Sequence, residues 1–484
     1  MTGRSLTRRE ILTGLASLSA GGLLVSACGG GASSSTSATS GTGASPSTGA
    51  VAALLPVEKA ALTLGFIKLT DMAPLAIARD KGFFAEEGLN VVLQAQANWK
   101  VLVDGVIGGQ LDASHMLAPQ PLAATIGYGT KAELIAPLSM DLNGNAITVS
   151  NEVWKLIEPS LPKGTDGLVK HPISASALRP VIDAYRARGK TFNMGMVFPT
   201  STHNYELRYW LAAGGISPGY YTPGVPAGTT ATEVPLSVTP PPQMPATLEA
   251  GTIDGYCVGE PWNQAAVQKK IGVPVVTDDE IWRLNPEKVL GMRKDFAEKN
   301  PGTVQALLRA VIKAQQWLDA DNGANRAEAV RILSTPTYVG ADAAVIAASM
   351  TGKFTFAQGD TRPAPDFNIF FRNFAGYPYY SDAVWYLTQM RRWGQIAEDK
   401  ADAWYADTAK AVYRPDLYLQ ATTSLVASKV IPADASPQTD GYKPVQNGFI
   451  DGLAFDARKP NDYLASLPIG LKKGQTVTAA GVQG

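Results

Sequence analysis

Regular alternation of apolar and polar positions begins at Leu62. Leu62-Thr63-Leu64-Gly65-Phe66-Ile67 reads as a buried strand, and Thr70-Asp71 as a turn. Pro74, Leu75, Ile77 and Ala78 then supply the first turn and packing face of a helix that Gly82 ends. Leu89-Asn90-Val91-Val92-Leu93 is a short β-branched run, so the order strand, helix, strand predicts a parallel βαβ unit. Strand-like runs recur at 113–117, 132–136 and 145–149, and again at 193–198, 234–238 and 253–258, with a helical stretch at 205–213 between them. From Asn300 the pattern turns helical. Asn300 stands at a cap position, Pro301 fits the first turn, and Val304, Leu307, Leu308, Val311, Ile312 and Leu318 recur at helical spacing. A further helix is expected around 381–387. Residues 421–484 carry no clear periodicity and predict no element. The class is α/β.

Upstream of this order the chemistry is that of export. Arg4, Arg8 and Arg9 precede an apolar stretch from Ile11 to Ala27, and Thr7-Arg8-Arg9-Glu10-Ile11-Leu12 resembles a twin-arginine export signal. Leu24-Val25-Ser26-Ala27-Cys28-Gly29 resembles a lipobox, with Cys28 as the thiol that takes the lipid. Residues 1–28 are therefore expected to be a signal. Residues 29–56, nearly all Gly, Ala, Ser, Thr and Pro at first, cannot bury enough apolar area to offset ordering and read as a tether with a reach of roughly 30 Å. With Cys28 lipidated, Cys257 is the one other cysteine, so no disulfide forms within the mature chain.

Composition narrows the function classes. Lys plus Arg and Asp plus Glu both number 42, which leaves no basic excess for nucleic acid, so any charge selectivity must be local. Three histidines at 115, 171 and 203 are too scattered to predict a metal site, and no cofactor is expected. Neither a phosphate-binding loop nor a nucleophile elbow occurs, so no catalytic residue is assigned.

Five phrases carry a resemblance: Gly65-Phe66-Ile67-Lys68-Leu69-Thr70-Asp71, Gly82-Phe83-Phe84, Arg208-Tyr209-Trp210-Leu211-Ala212-Ala213-Gly214-Gly215-Ile216, Pro240-Pro241-Pro242-Gln243-Met244 and Cys257-Val258-Gly259-Glu260-Pro261-Trp262-Asn263. Together they resemble the nitrate- and bicarbonate-binding proteins of ABC importers, over about residues 62–415. The resemblance implies the two-lobed periplasmic-binding-protein fold of type II, with a hinge and a ligand cleft between the lobes. It places the first lobe at 57–145, the second at 146–290, a helical return to the first at 291–420 and a C-terminal extension at 421–484. The implied partners are nitrate, nitrite or a similar small anion, a permease and an ATPase, and, through the lipid, the outer face of the cytoplasmic membrane.

The same resemblance picks out site residues. A nitrate ion is flat, carries one diffuse charge and offers only acceptors, so it needs donors, a cation and a flat wall. Trp99 supplies an indole face and an N–H; by position alone it reads as core packing. Asn145 stands where the family usually has glutamine, one methylene shorter. His203, with the Thr202 hydroxyl beside it, is expected at a helix start, where free backbone N–H groups favour an anion and where Ser201 or Thr202 would also cap. Lys288 supplies the positive charge, at a position that looks acidic in the bicarbonate branch. Glu260 is expected to orient a donor or to pair with Lys288, and His115 to be a satisfied structural histidine. The span from Gly219 to Thr239 is longer than the family pattern and predicts a rim loop on the second lobe. Rival readings are a binding protein for bicarbonate, a sulfonate or another small anion, an enzyme of the thiamine-precursor type, and a receptor-linked sensor.

Overall fold

The protein is described by a computed structural model over residues 54–222, 225–478 and 480–484; the expected signal, most of the expected tether and Cys28 lie outside the described residues. Two five-stranded sheets carry the fold. Their strands are β1 (Ala61–Phe66), β2 (Asn90–Ala95), β3 (Ala113–Leu117), β4 (Leu134–Ser139), β5 (Asn145–Ser150), β6 (Met194–Met196), β7 (Leu236–Val238), β8 (Gly255–Gly259), β9 (Gly272–Thr277) and β10 (Lys288–Arg293). The first sheet has the order β2-β1-β3-β10-β4 and the second β7-β6-β8-β5-β9. This is the two-lobed fold that the strand and helix pattern and the five phrases led us to expect.

In each sheet the strands at the centre are parallel, with one exception that matters. β5, the first strand after the chain leaves the first sheet, runs antiparallel to β8 and β9. β10, the strand on which it returns, runs antiparallel to β3 and β4. Parallel strands present their C-terminal ends to the cleft, so an antiparallel neighbour presents its first residue there. Asn145 opens β5 opposite Gly259 at the end of β8, and Lys288 opens β10 opposite Leu117 at the end of β3. Lys288 thus belongs to the first sheet, although it falls inside the 146–290 span expected for the second lobe; the return precedes it.

The two crossings are tied side by side. The Asn143 N–H donates to Asn285 O at 2.9 Å, and Asn143 Oδ1 accepts from both the backbone and the side-chain amide of Asn285, at 3.1 and 3.0 Å. Asn143 and Gly144 adopt φ of 60° and 111°. A side chain on Gly144 would meet Asn368 Nδ2 at 2.5 Å, so only glycine makes this turn.

Helices follow the local chemistry. In α1 (Ala73–Asp80) proline sits in the first turn. α2 (Trp99–Ile107) is capped by Asn98, whose side chain accepts from the Val101 N–H at 3.0 Å. α3 (Thr202–Ala213) is capped by Ser201 and is buried along almost its whole length, as befits a helix at the centre of a large protein. Within it, Arg208 Nε donates to Asn204 Oδ1 at 2.9 Å, and the guanidinium lies 4.5 Å from the Tyr221 ring. α4 (Trp262–Gln268) follows β8. α5 (Pro301–Gly323) realises the apolar repeat from Val304 to Leu318, until Ala320, Asp321 and Asn322 leave helical geometry. It packs in an apolar cluster with α1, β1 and β2 on one face of the first sheet, while the other face joins the second sheet and α6 (Tyr380–Arg392) in a second cluster.

Two expectations fail. The span from Gly219 is no loop: Pro218–Thr222 pairs antiparallel with Val225–Thr232, and the Tyr221 N–H donates to Trp393 O at 2.8 Å. A run of threonine, proline and glycine resembles loop composition but leaves a backbone free to pair. The stretch from 421 also carries structure. α7 (Pro415–Ala427) crosses the expected boundary, α8 (Pro460–Ser466) follows, and Phe449 packs against Trp282, with centroids 5.6 Å apart and rings stacked. These contacts join residues far apart in sequence, so local periodicity does not announce them.

Candidate functional site

The loops after β1 and β8 meet across the cleft. The Thr70 N–H donates to Glu260 O at 2.8 Å, and the Trp262 indole N–H donates to Lys68 O at 3.0 Å. Beneath this closure lies a buried polar group contributed by both sheets. Lys288 Nζ lies 2.7 Å from Asp71 Oδ2 and also contacts Glu287. His115 Nε2 lies 2.7 Å from the other Asp71 oxygen, and His115 Nδ1 accepts from the Ile67 N–H at 3.5 Å. That pattern makes Nε2 the protonated nitrogen of a neutral ring. From the second lobe, His203 Nε2 approaches Glu287 Oε1 at 3.3 Å, and Thr202 Oγ1 lies 3.3 Å from His203 Nδ1. Trp99 closes one side. Lys288 Nζ is 5.7 Å from its ring centroid and the His115 ring 5.4 Å.

Trp99, Asn145, Thr202, His203 and Lys288 are all fully buried and converge here from separate elements. Trp99 opens α2, Asn145 and Lys288 open the two crossing strands, and Thr202 and His203 open α3. The indole N–H of Trp99 has no hydrogen-bond partner, so a donor stands ready beside the ammonium.

Three of the expected site residues have protein partners of their own. Lys288 is not a lone cation: Asp71 and Glu287 lie on its ammonium, and the Lys288 backbone N–H donates to Asp141 Oδ1 at 3.1 Å. Glu260 does not pair with Lys288. Its carboxylate accepts from the Gln264 N–H at 3.2 Å, at the start of α4, and it is the backbone of Glu260 that crosses to the first lobe. Asn145 is already engaged, its Nδ2 donating to Glu206 Oε2 at 3.0 Å and its backbone N–H to Asp278 Oδ2 at 3.0 Å.

The electrostatics follow from burial. Burial acts to lower the Lys288 ammonium, but Asp71, Glu287 and Asp141 outweigh it and hold its pKa above the ordinary value. Burial acts to raise Asp71, yet Lys288 and His115 hold that carboxyl well below the usual range. Lys288 and Asp71 are therefore an ion pair. Burial pushes His203 well below its ordinary value and Lys288 adds to this, so its ring is neutral. Burial lowers His115 too, against the pull of Asp71. Glu287 is pushed up by burial to about 7, with Lys288 opposing, and burial drives Asp141 and Asp278 well above the carboxylate range. The composite is a nearly neutral, dry site with one ammonium, one free indole N–H and several carboxyls poised to hold protons. The ammonium and the indole N–H are the donors there that a ligand made of acceptors would engage.

Asp71, Glu206, Asp278 and Glu287 were not singled out from sequence as site residues. Asp71 does lie within a quoted phrase, next to Thr70, and Glu287 directly precedes Lys288 in the chain. Glu206 had one further signal, an acidic residue one turn before the apolar and aromatic run Tyr209-Trp210-Leu211-Ala212-Ala213.

Residues 56–334 match the NMT1-like family. The nitrate/nitrite binding protein NrtA of Nostoc sp. is 36% identical over 475 residues, 96% of this chain and 99% of the relative. A nitrate import ATP-binding protein, NrtC, of Synechocystis sp. is 36% identical over 419 residues, 85% of this chain and 56% of that protein. Among solved structures, the periplasmic nitrate-binding protein NrtA from Synechocystis superposes with a TM-score of 0.74 at 31% identity, over 85% of this chain and 100% of that one.

Proposed function

The chain belongs to the NMT1-like family, and from that premise we propose that it is the extracytoplasmic solute-binding component of an ABC importer, capturing a small inorganic oxyanion, nitrate or nitrite, and handing it to a membrane permease. The observation that carries the reading is the meeting of Lys288, the free indole N–H of Trp99, Thr202 and His203 in one buried group between the two sheets. The kinship with nitrate/nitrite binding proteins supports the choice of ligand. Closing both lobes on the anion favours the state in which it touches each at once. The energy for transport comes from a separate ATPase, a role in keeping with the kinship to a nitrate import ATP-binding protein. The Thr7–Leu12 and Leu24–Gly29 phrases support export by the twin-arginine route and a lipid anchor on Cys28 at the outer face of the membrane. In this reading the chain binds and catalyses nothing.

The acid-rich surround of Lys288 favours a second ligand, an oxyanion that brings its own proton, such as bicarbonate. Calorimetric titration of the purified protein with nitrate, nitrite, bicarbonate and a short alkanesulfonate separates the two. Saturable heat from nitrate or nitrite alone is expected. Trp99→Phe, which keeps a ring but loses the N–H, should then weaken nitrate binding about tenfold, the worth of one buried hydrogen bond. Binding of bicarbonate or the sulfonate without nitrate would keep the importer and move its substrate.

A further inference from the structure

Asn145 and Glu206 are joined by a hydrogen bond with a direction. The amide donates to Glu206 Oε2 at 3.0 Å, and both residues are buried, at 0% and 1% exposure. With the amide so placed, Asn145 Oδ1 has no hydrogen-bond partner, and neither has Glu206 Oε1. Asn145 Oδ1 faces Gly259, where a Cβ would lie 3.2 Å from it and 3.4 Å from Asp71 Oδ2. Asn145 Oδ1 and Asp71 Oδ2, both acceptors, therefore meet over Gly259 beside Lys288, where a ligand made only of acceptors requires a donor.

A side-chain amide exchanges its donor and acceptor by a half-turn that hardly changes its shape. The turned form is unfavourable while Glu206 is a carboxylate, because two acceptors would then meet. Once Glu206 carries a proton its O–H donates to Asn145 Oδ1, and Nδ2 is released toward the cleft and Asp71. We propose that Glu206 is a positioning residue whose proton decides whether Asn145 shows the cleft an oxygen or an N–H, so that above the pH at which Glu206 titrates capture of an acceptor-only oxyanion takes up a proton there. The inference rests on the oxyanion reading above.

The surroundings of Glu206 favour the protonated form. Facing it are Asp278 from the turn after β9, Glu287 and Lys288 at the start of β10, the Cys257 thiol of β8 at 3.9 Å and the Tyr386 hydroxyl of α6. Burial, then Asp278 and Glu287, push its carboxyl well above the ordinary range, with Asn145 and Lys288 acting the other way. The arrangement also accounts for an asparagine here, since the short arm that holds Glu206 leaves its second amide atom at the cleft.

The test is the side-chain amide resonance of Asn145 in the full chain, followed by NMR from pH 5 to 9 and identified by its loss in Asn145→Ser. In the wild type it should shift through a single titration that is absent from Glu206→Gln and returns in Glu206→Asp. Nitrate affinity of the wild type should fall about tenfold per pH unit above that titration and stay flat in Glu206→Gln. Calorimetry in two buffers should count about one proton fewer taken up by Glu206→Gln. An Asn145 resonance indifferent to pH, or one that titrates identically in Glu206→Gln, overturns the proposal. Failure of nitrate to bind at any pH would instead sink the oxyanion assignment, and the amide titration would still decide whether the two residues are coupled.

Discussion

Replacing Lys288 would leave Asp71 and Glu287 without their cation in a dry interior. Breaking a buried pair from one side costs on the order of 3–5 kcal/mol, so Lys288→Met should lower stability by that amount in urea denaturation and abolish nitrate binding. Asp71→Asn combined with Lys288→Met should recover much of the stability and none of the binding, which separates the two duties of the lysine. Glu260 gives a pH signature. In the unfolded chain it ionises near 4.5, whereas burial in the fold holds its proton to about 8. Between those values the native state binds more protons than the unfolded one, so stability falls as pH rises through that window, by on the order of a few kcal/mol. Thermal unfolding at pH 5 and pH 8 should show a smaller loss for Glu260→Gln than for the wild type. At this scale Trp99, His203 and Lys288 were picked out by the family resemblance, and the fold brings all three into one buried group. Their acidic neighbours were not: a lone Asp or Glu is most often a solvated surface residue, and only the fold shows Asp71, from one end of the lobe, meeting Lys288 from the other.

Helices and strands with a strong local rhythm were readable in advance. Ala113–Leu117 begins and ends where the apolar run does, and α5 follows its spaced valines and leucines. Elements stabilised by distant partners were not readable. The segment around Phe449 is irregular, yet its ring stacks on Trp282 and lies 6.1 Å from Trp385, and the Arg283 N–H donates to Gly448 O at 2.9 Å. Phe449→Ala should therefore cost about 3 kcal/mol or more in urea denaturation, and the near-ultraviolet circular dichroism of the tryptophan pair should change. An unaltered spectrum and stability would mean that the tail lies on the body without supporting it.

Across the whole molecule, an apolar cluster shared by both sheets and several hydrogen bonds join the lobes. The Trp262 indole to Lys68 O is one, and Thr70 to Glu260 O another. Removing the first by Trp262→Phe should destabilise the closed state by about 1 kcal/mol, weaken ligand binding about fivefold and speed release. Stopped-flow dissociation would read this, and an unchanged off-rate would show that the indole does not hold the lobes together. The paired crossings have a further consequence. Asn143 and Asn285 bind each other, and the very next turns of chain deliver Asn145 and Lys288. The pivot and these two candidate contacts are thus the same few residues. Points near an axle travel least when a door swings, so Asn145 and Lys288 keep their mutual geometry whether the door stands open or shut.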